Sequence, residues 1–365
     1  MDQFEHKSLL TTPYNLTYSY YLSPDFHTHL SPSTPTLLFI HGFPDDALMW
    51  SHLMPTMLAL PYPIIALDIL GLGSSSKPTS PQQYNYLAQA NSIGQILDHE
   101  GVPKDKNIIP IGHDWGSAIA QRFYLYHRTR CVGLALISLA YQIPSPEPFD
   151  LAAANEAKAS RFGYPQWEYW NFFTASDAPA LMRANLDRFY EVNHGLSLSS
   201  EKGKNGRDVW MREMFCTPGA MRAYITRTGR YADFTVPLKE YDFDHEALRA
   251  QINDRLGREG ATEAAVCYYH SLKDNTMLEE ERSLCPSHSE GGEDKRKIDV
   301  PVCYIGQTGD WVCRTDLMGD AKREGLVADV EEHVVEAGHW VMYEKPQAIA
   351  DVLKGWLERR FAVGG

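Results

Sequence analysis

Asp114 stands at the centre of Gly112-His113-Asp114-Trp115-Gly116, directly after the apolar run Ile108-Ile109-Pro110-Ile111. An apolar strand that ends in small-x-nucleophile-x-small and runs into a helix predicts a nucleophile elbow. The turn is so tight that side chains at 112 and 116 would strike neighbouring backbone, which is why both positions are glycine. A serine at the centre would need a base to take its proton before attack. A carboxylate is already ionised at neutral pH, and the helix starting at Gly116 turns its positive end towards it. Attack by a carboxylate on an ester or amide would give an anhydride, a poor intermediate. Attack on a saturated carbon with a strained or good leaving group gives an ordinary ester. The residue types therefore indicate displacement on an epoxide or an alkyl halide.

Three further segments supply what such a displacement needs. His41-Gly42-Phe43-Pro44-Asp45 follows a strong strand signal, and the amides of Phe43 and Trp115 are expected to form an oxyanion hole. A cis Phe43-Pro44 bond would aim the first amide inward. Asp310 follows Ile305-Gly306-Gln307-Thr308-Gly309, and His339 lies in Ala337-Gly338-His339-Trp340. Nucleophile, acid and histidine thus run in the order Asp114, Asp310, His339, which is the order known for serine enzymes of the α/β-hydrolase type. Position and partner set His339 apart from the rest of the 14 histidines, and His41 and His113 read as supporting residues. No HExxH spacing occurs, so no metal is assigned. Asp68-Ile69-Leu70-Gly71-Leu72-Gly73-Ser74 lacks the third glycine of a dinucleotide loop, having Ser76 there; it reads as a structural turn, with no cofactor. Asp242-Phe243-Asp244-His245-Glu246 reads as a solvated acidic face.

The elements that must position these residues are strands. Residues 36–40, 64–67, 108–111, 132–137, 300–305 and 330–335 form short apolar or β-branched runs separated by helical patterns, the signature of a parallel sheet covered on both faces. A final helix over 347–361 carries Ile349, Val352, Leu353, Trp356 and Leu357 on one face. Between 141 and 298 Pro144, Pro146 and Pro148 break the chain, strand-like runs disappear and aromatic-rich helical segments follow. Core segments at 1–140 and 299–365, interrupted by a helical cap at 141–298, describe an α/β fold with a mostly parallel central sheet. Two polar stretches, Glu201–Asp208 and Pro286–Lys297, read as exposed loops.

Composition narrows the partners. With 365 residues and 44% hydrophobic residues the chain has ample material for a large core. A net charge of −13 argues against nucleic acid or an anionic membrane surface. No apolar run reaches membrane-spanning length, and no signal peptide or peroxisomal signal is evident. Six scattered cysteines (131, 216, 267, 285, 303 and 313) suggest neither a zinc site nor a disulfide framework. The sequon Asn15-Leu16-Thr17 is given no role, and the expected location is the cytoplasm.

Over nearly its whole length the chain resembles the epoxide hydrolases of the α/β-hydrolase fold. His41-Gly42-Phe43-Pro44 looks like that family's HGxP motif, Gly71-Leu72-Gly73-Ser74-Ser75 like its GxGxS turn, and Gly112 to Gly116 like its nucleophile segment. The resemblance implies two cap tyrosines that hold the epoxide oxygen. Tyr169, in Trp167-Glu168-Tyr169-Trp170-Asn171-Phe172-Phe173, matches the first. Tyr269, in Val266-Cys267-Tyr268-Tyr269-His270, matches the second, with Tyr268 as a one-residue alternative. It implies a covalent ester on Asp114, hydrolysed by water that His339 and Asp310 activate, with a small-molecule epoxide as partner and a homodimer left open. Trp170, Phe173 and Trp340 are assigned to substrate binding, and the aromatic segment favours bulky or apolar epoxides, although the same aromatics would serve as the core of the cap. The two polar stretches depart from the family's pattern. A haloalkane dehalogenase is the nearest alternative; a cyclising epoxide-opening enzyme and a non-catalytic receptor are the others.

Overall fold

Five of the apolar runs become the buried middle of one eight-stranded sheet. The computed structural model describes residues 1–105, 107–196, 209–286 and 294–362. Its strands are β1 (Glu5–Thr11), β2 (Leu16–Leu22), β3 (Thr36–Ile40), β4 (Ile64–Leu67), β5 (Ile108–His113), β6 (Leu134–Ile137), β7 (Val302–Gln307) and β8 (Val330–Val335). They lie in the order β1-β2-β4-β3-β5-β6-β7-β8. From β4 across to β8 all neighbours are parallel. Strands β3 to β7 are buried at every position, as apolar strands covered on both faces must be. β8 differs because it is an edge, and its Val-Glu-Glu-His-Val-Val sequence leaves residues 332 and 334 exposed.

The N-terminal hairpin is the part that the apolar runs do not announce. β1 pairs antiparallel with β2, and β2 antiparallel with β4. Both strands mix polar and apolar residues; in β2 Tyr18, Tyr20 and Leu22 are buried, Ser19 between them is buried too, and Tyr21 is half-buried. Tyr18, Tyr20 and Leu22 share one face of the strand, as the period of two requires.

Parallel register sends the chain out along one edge. Ile40 lies beside Gly112, His113 beside Ile137, Ile137 beside Ile305, and Ile305 beside His333. The segments that follow β3, β5, β7 and β8 therefore leave from the same side. Behind them the helix Trp115–Tyr126 is buried from Trp115 to Leu125. The last helix, Pro346–Arg360, buries Ile349, Ala350, Leu353, Trp356 and Leu357; Val352, expected in that stripe, is half-buried and Ala350 takes the inner place.

Between β6 and β7 the described residues form helices, with an isolated bridge inside the stretch, Gly195 with Leu238, and another, Ile298 with Val327, that leaves it. This helical layer is fastened to the sheet layer by polar contacts. Arg122 reaches both carboxylate oxygens of Glu281, Nε at 2.7 Å and an Nη at 2.6 Å. The Tyr268 hydroxyl donates to Gln89 Oε1 at 3.0 Å, and the Tyr164 hydroxyl to the Trp311 carbonyl at 3.0 Å. Within the segment expected to be an acidic face, Asp242, Asp244 and Glu246 are exposed. His245 corrects that expectation. It turns inward, with Nδ1 2.7 Å from the Tyr190 hydroxyl and its ring stacked on Tyr241. Glu201–Asp208 and the 287–293 portion of the second polar stretch lie outside the described residues. Among the described residues no helix is long and apolar enough to cross a membrane.

Candidate active site

Asp114 sits at the end of β5 with φ 54° and ψ −123°, a left-handed conformation that costs a non-glycine residue about 1–3 kcal/mol. The surroundings hold it there. The Ser117 hydroxyl donates to the carbonyls of Gly112 (2.7 Å) and Ile137 (3.0 Å), closing the turn. A Cβ on Gly112 would run into Gly116 and Ser117, and one on Gly116 into the carbonyls of Ile40 and His41. These close approaches let the elbow stand beside the end of β3. There the Phe43 amide donates to Asp114 Oδ1 at 3.0 Å, and the Phe43-Pro44 bond is cis. Trp115, whose amide was paired with that of Phe43 in the expected oxyanion hole, begins the helix immediately after Asp114.

The other carboxylate oxygen faces histidine. His339 Nε2 lies 3.5 Å from Asp114 Oδ2, and its Nδ1 lies 2.6 Å from Asp310 Oδ2. Asp310 is itself oriented, because its Oδ1 accepts from the amides of Val312 at 3.0 Å and Cys313 at 2.7 Å. Asp310 and His339 are buried, and Asp114 is half-buried. Burial works against a charged His339, yet Asp310 and hydrogen bonds to both carboxylates hold its pKa well above the ordinary 6.5. Burial likewise works against an ionised Asp114, but His339, His113 and the Phe43 amide take its pKa below the usual carboxylate value. In the resting site an imidazolium is thus held between two carboxylates. Cys313 joins Asp310 and His339 in a group whose ligand atoms lie within 4.8 Å of one another. Its thiol is pushed up to about 12 by burial and by Asp310, so near neutral pH it is protonated and suits a hydrogen bond better than a metal ion.

Across the cavity stand Tyr169 and Tyr269, both buried, with ring centroids 5.8 Å apart. Tyr169, the residue before the short helix Trp170–Phe173, is pinned by its amide to the Phe215 carbonyl at 2.9 Å. Tyr269 belongs to the helix Cys267–Lys273, its ring edge-on to Trp115 and Phe43. Burial first, then each one's neighbours including Asp114, raise both phenols well above the ordinary tyrosine value, so both remain hydroxyl donors. Tyr268 is turned away, its hydroxyl committed to Gln89. The space between these residues is lined by Phe43, Asp114, Tyr169, Tyr269, His339 and Trp340 and by Asn193, Met211, Phe215 and Val312.

A family described as alpha/beta hydrolase fold matches residues 35–203. A solved epoxide hydrolase from an endophytic Streptomyces superposes with a TM-score of 0.70, covering 98% of this chain and 96% of that one at 23% identity. The chain has the α/β-hydrolase fold. Among curated proteins it is 23% identical over 331 residues to epoxide hydrolase A of Mycobacterium tuberculosis, spanning 89% of this chain and 91% of the relative. It is 29% identical over 191 residues to epoxide hydrolase 3 of Siraitia grosvenorii, spanning 51% of this chain and 56% of that relative.

Several residues of this protein support the site from behind. His41 donates Nδ1 to the Gly42 carbonyl (2.9 Å) and accepts the Ile69 amide at Nε2 (3.1 Å). Burial takes its pKa down to about 4, so it is neutral. His113, lowered to about 4 chiefly by burial, donates Nε2 to the His339 carbonyl at 2.9 Å. The glycine turn after β4 wraps the Asp68 carboxylate, which accepts from the amides of Ala47 and Ser74 at 2.8 Å each. Of the three aromatics assigned to substrate, Trp340 lines the cavity. Trp170 and Phe173 stand behind Tyr269 instead, with centroids 5.3 and 4.8 Å from its ring. Successive side chains of a helical turn point about 100° apart, so the turn that presents Tyr169 sends Trp170 into the packing beyond it. Met211, Phe215, Val312 and Asn193 line the cavity without having been singled out in the sequence. For Asn193 a signal existed, since it lies four residues after Phe189 on the buried face of Leu186–His194.

Proposed function

We propose that this α/β hydrolase opens epoxides to vicinal diols through a covalent ester on Asp114, with the helical stretch 141–298 acting as the cap over the site. The observation that carries the proposal is the division of the Asp114 carboxylate. Oδ1 is bound by the Phe43 amide, while Oδ2 faces His339 in a cavity that also holds two buried phenols. Named epoxide hydrolases among its relatives, one matched over most of both chains, support the same reading.

Oδ2 attacks one ring carbon as its bond to the ring oxygen breaks, and Tyr169 or Tyr269 gives a proton to the departing oxygen. Ester formation removes one of the two negative charges that hold the His339 proton. That proton passes to the tyrosinate, leaving His339 neutral. Neutral His339 takes a proton from water as the water oxygen adds to the Asp114 carboxyl carbon, and the Phe43 and Trp115 amides stabilise the oxyanion. Collapse breaks the ester C–O bond, and the diol alkoxide takes the proton of the newly formed Asp114 carboxylic acid. Ionised Asp114 and protonated His339 are thereby restored. Away from Asn193 and the reacting groups the lining is largely apolar and favours apolar portions of the substrate. All six cysteines are unpaired, which fits a reducing compartment such as the cytoplasm.

A single turnover in heavy-oxygen water tests the route. The label enters the Asp114 carboxylate while the first diol leaves unlabelled. Label in the first diol with none in Asp114 means direct attack by water and overturns the ester.

A further inference from the structure

Among the described residues that line the cavity, apart from the reacting aspartate, histidine and tyrosines, Asn193 is the one carboxamide, and the Trp340 indole Nε1 is the other unpartnered polar group. Asn193 is 3% exposed, and neither its Oδ1 nor its Nδ2 has a hydrogen-bond partner. It lies in Leu186–His194 on the same face as Phe189, whose ring packs edge-on against Phe43 with centroids 6.0 Å apart. A buried carboxamide with both ends unmet is a standing penalty to folding, and leucine would fill that volume without it. Met211, Phe215, Val312 and Trp340, which line the same cavity, are largely apolar.

We infer that Asn193 reads a hydroxyl group on the substrate, and that the preferred substrates are epoxy alcohols. The inference rests on the epoxide reading above and sharpens it. An amide presents one acceptor and one kind of donor side by side. A hydroxyl matches both, donating to Oδ1 and accepting from Nδ2. A plain hydrocarbon substituent matches neither and leaves the amide unpaired in the complex, the situation in which a polar site rejects an analogue lacking its partner. The hydroxyl then fixes which face and end of the epoxide approach Asp114, so Asn193 sets specificity without taking part in bond making.

The test uses epoxides in matched pairs, with and without a hydroxyl one, two or three carbons from the ring, on the full-length enzyme and on Asn193→Leu. The wild type should prefer the hydroxylated member by about tenfold or more in kcat/KM for at least one spacing. In N193L that ratio should fall to near one, with the loss falling on the epoxy alcohol. Its melting temperature should match or exceed that of the wild type, because an unpaired amide has been removed. No preference at any spacing in the wild type, a measurement that needs no variant, overturns the inference. So does a preference that survives in N193L, and so does an equal loss on both members, which would mean that the amide holds water or structure. Failure to open any member of any pair is a different result and sinks the epoxide reading itself.

Discussion

The two walls of the cavity are built on different principles. Asp114, Asp310 and His339 stand just beyond the C-terminal ends of β5, β7 and β8, where parallel register brings separate loops to one edge. Their positions follow from backbone hydrogen bonds and glycine contacts that leave little room for adjustment. Tyr169 and Tyr269 come from two short helices 100 residues apart, held by ring packing and a few polar ties to the sheet layer. A wall made by a sheet is rigid in its chemistry, whereas a wall made by helix packing adjusts with the side chains behind it.

Breaking the sheet wall should have the largest effect. Asp114→Ala should lower turnover by at least about 10⁴-fold and leave no protein adduct. His339→Gln should instead accumulate an adduct with the mass of the epoxide, read by intact-protein mass spectrometry, because attack proceeds without a base for water. An unmodified His339→Gln protein that still turns over would remove His339 from that role.

On the helix wall, Tyr169→Phe or Tyr269→Phe should each slow ester formation by about 10²-fold, and the double change should nearly abolish it. Rapid-quench detection of the adduct measures this step directly. Full epoxide activity in the double variant, together with bromide release from alkyl bromides, would transfer the assignment to a dehalogenase, since halide needs no proton.

The tie between the walls can be cut separately. Glu281→Ala leaves the buried Arg122 guanidinium without its carboxylate and should destabilise the fold by about 3–5 kcal/mol in chemical denaturation. A loss below about 1 kcal/mol would show that this ion pair does little to hold the helical layer.

The smallest expected effect concerns the charge pattern. The folded pKa of His339 lies above 6.5, so its contribution to stability is complete below that pH and disappears as pH rises through the folded value. The folded pKa of Asp114 lies below 3.8, so its contribution is complete above 3.8 and disappears as pH falls through the folded value. On the alkaline side the wild type should lose up to about 1.4 kcal/mol per pH unit that His339→Gln does not lose. Parallel curves for the two proteins between pH 7 and 10 would contradict the imidazolium.

How much of this was legible in the sequence follows from the same contrast. The runs at 36–40, 64–67 and 108–111 coincide with or lie within strands, because continuous apolar β-branched residues have few other uses. The hairpin of β1 and β2 escaped notice because its alternation is diluted by serine, threonine and lysine. Asp114, Asp310 and His339 could be picked out because each follows a strand signal directly. Choosing Tyr269 over Tyr268 could not be done by counting, since neighbouring helical residues differ only in direction.

The sequence by itself determined the elbow, its carboxylate and the strand ends that carry the acid and the histidine, since these depend on local patterns of glycine and apolar residues. The tertiary structure alone decided which tyrosine faces Asp114, that Trp170 and Phe173 stand behind it, and that Asn193 enters the cavity with its amide unmet. Those outcomes depend on how helices pack over a sheet. Packing sums many weak contacts between residues far apart in the chain, and no local pattern records that sum.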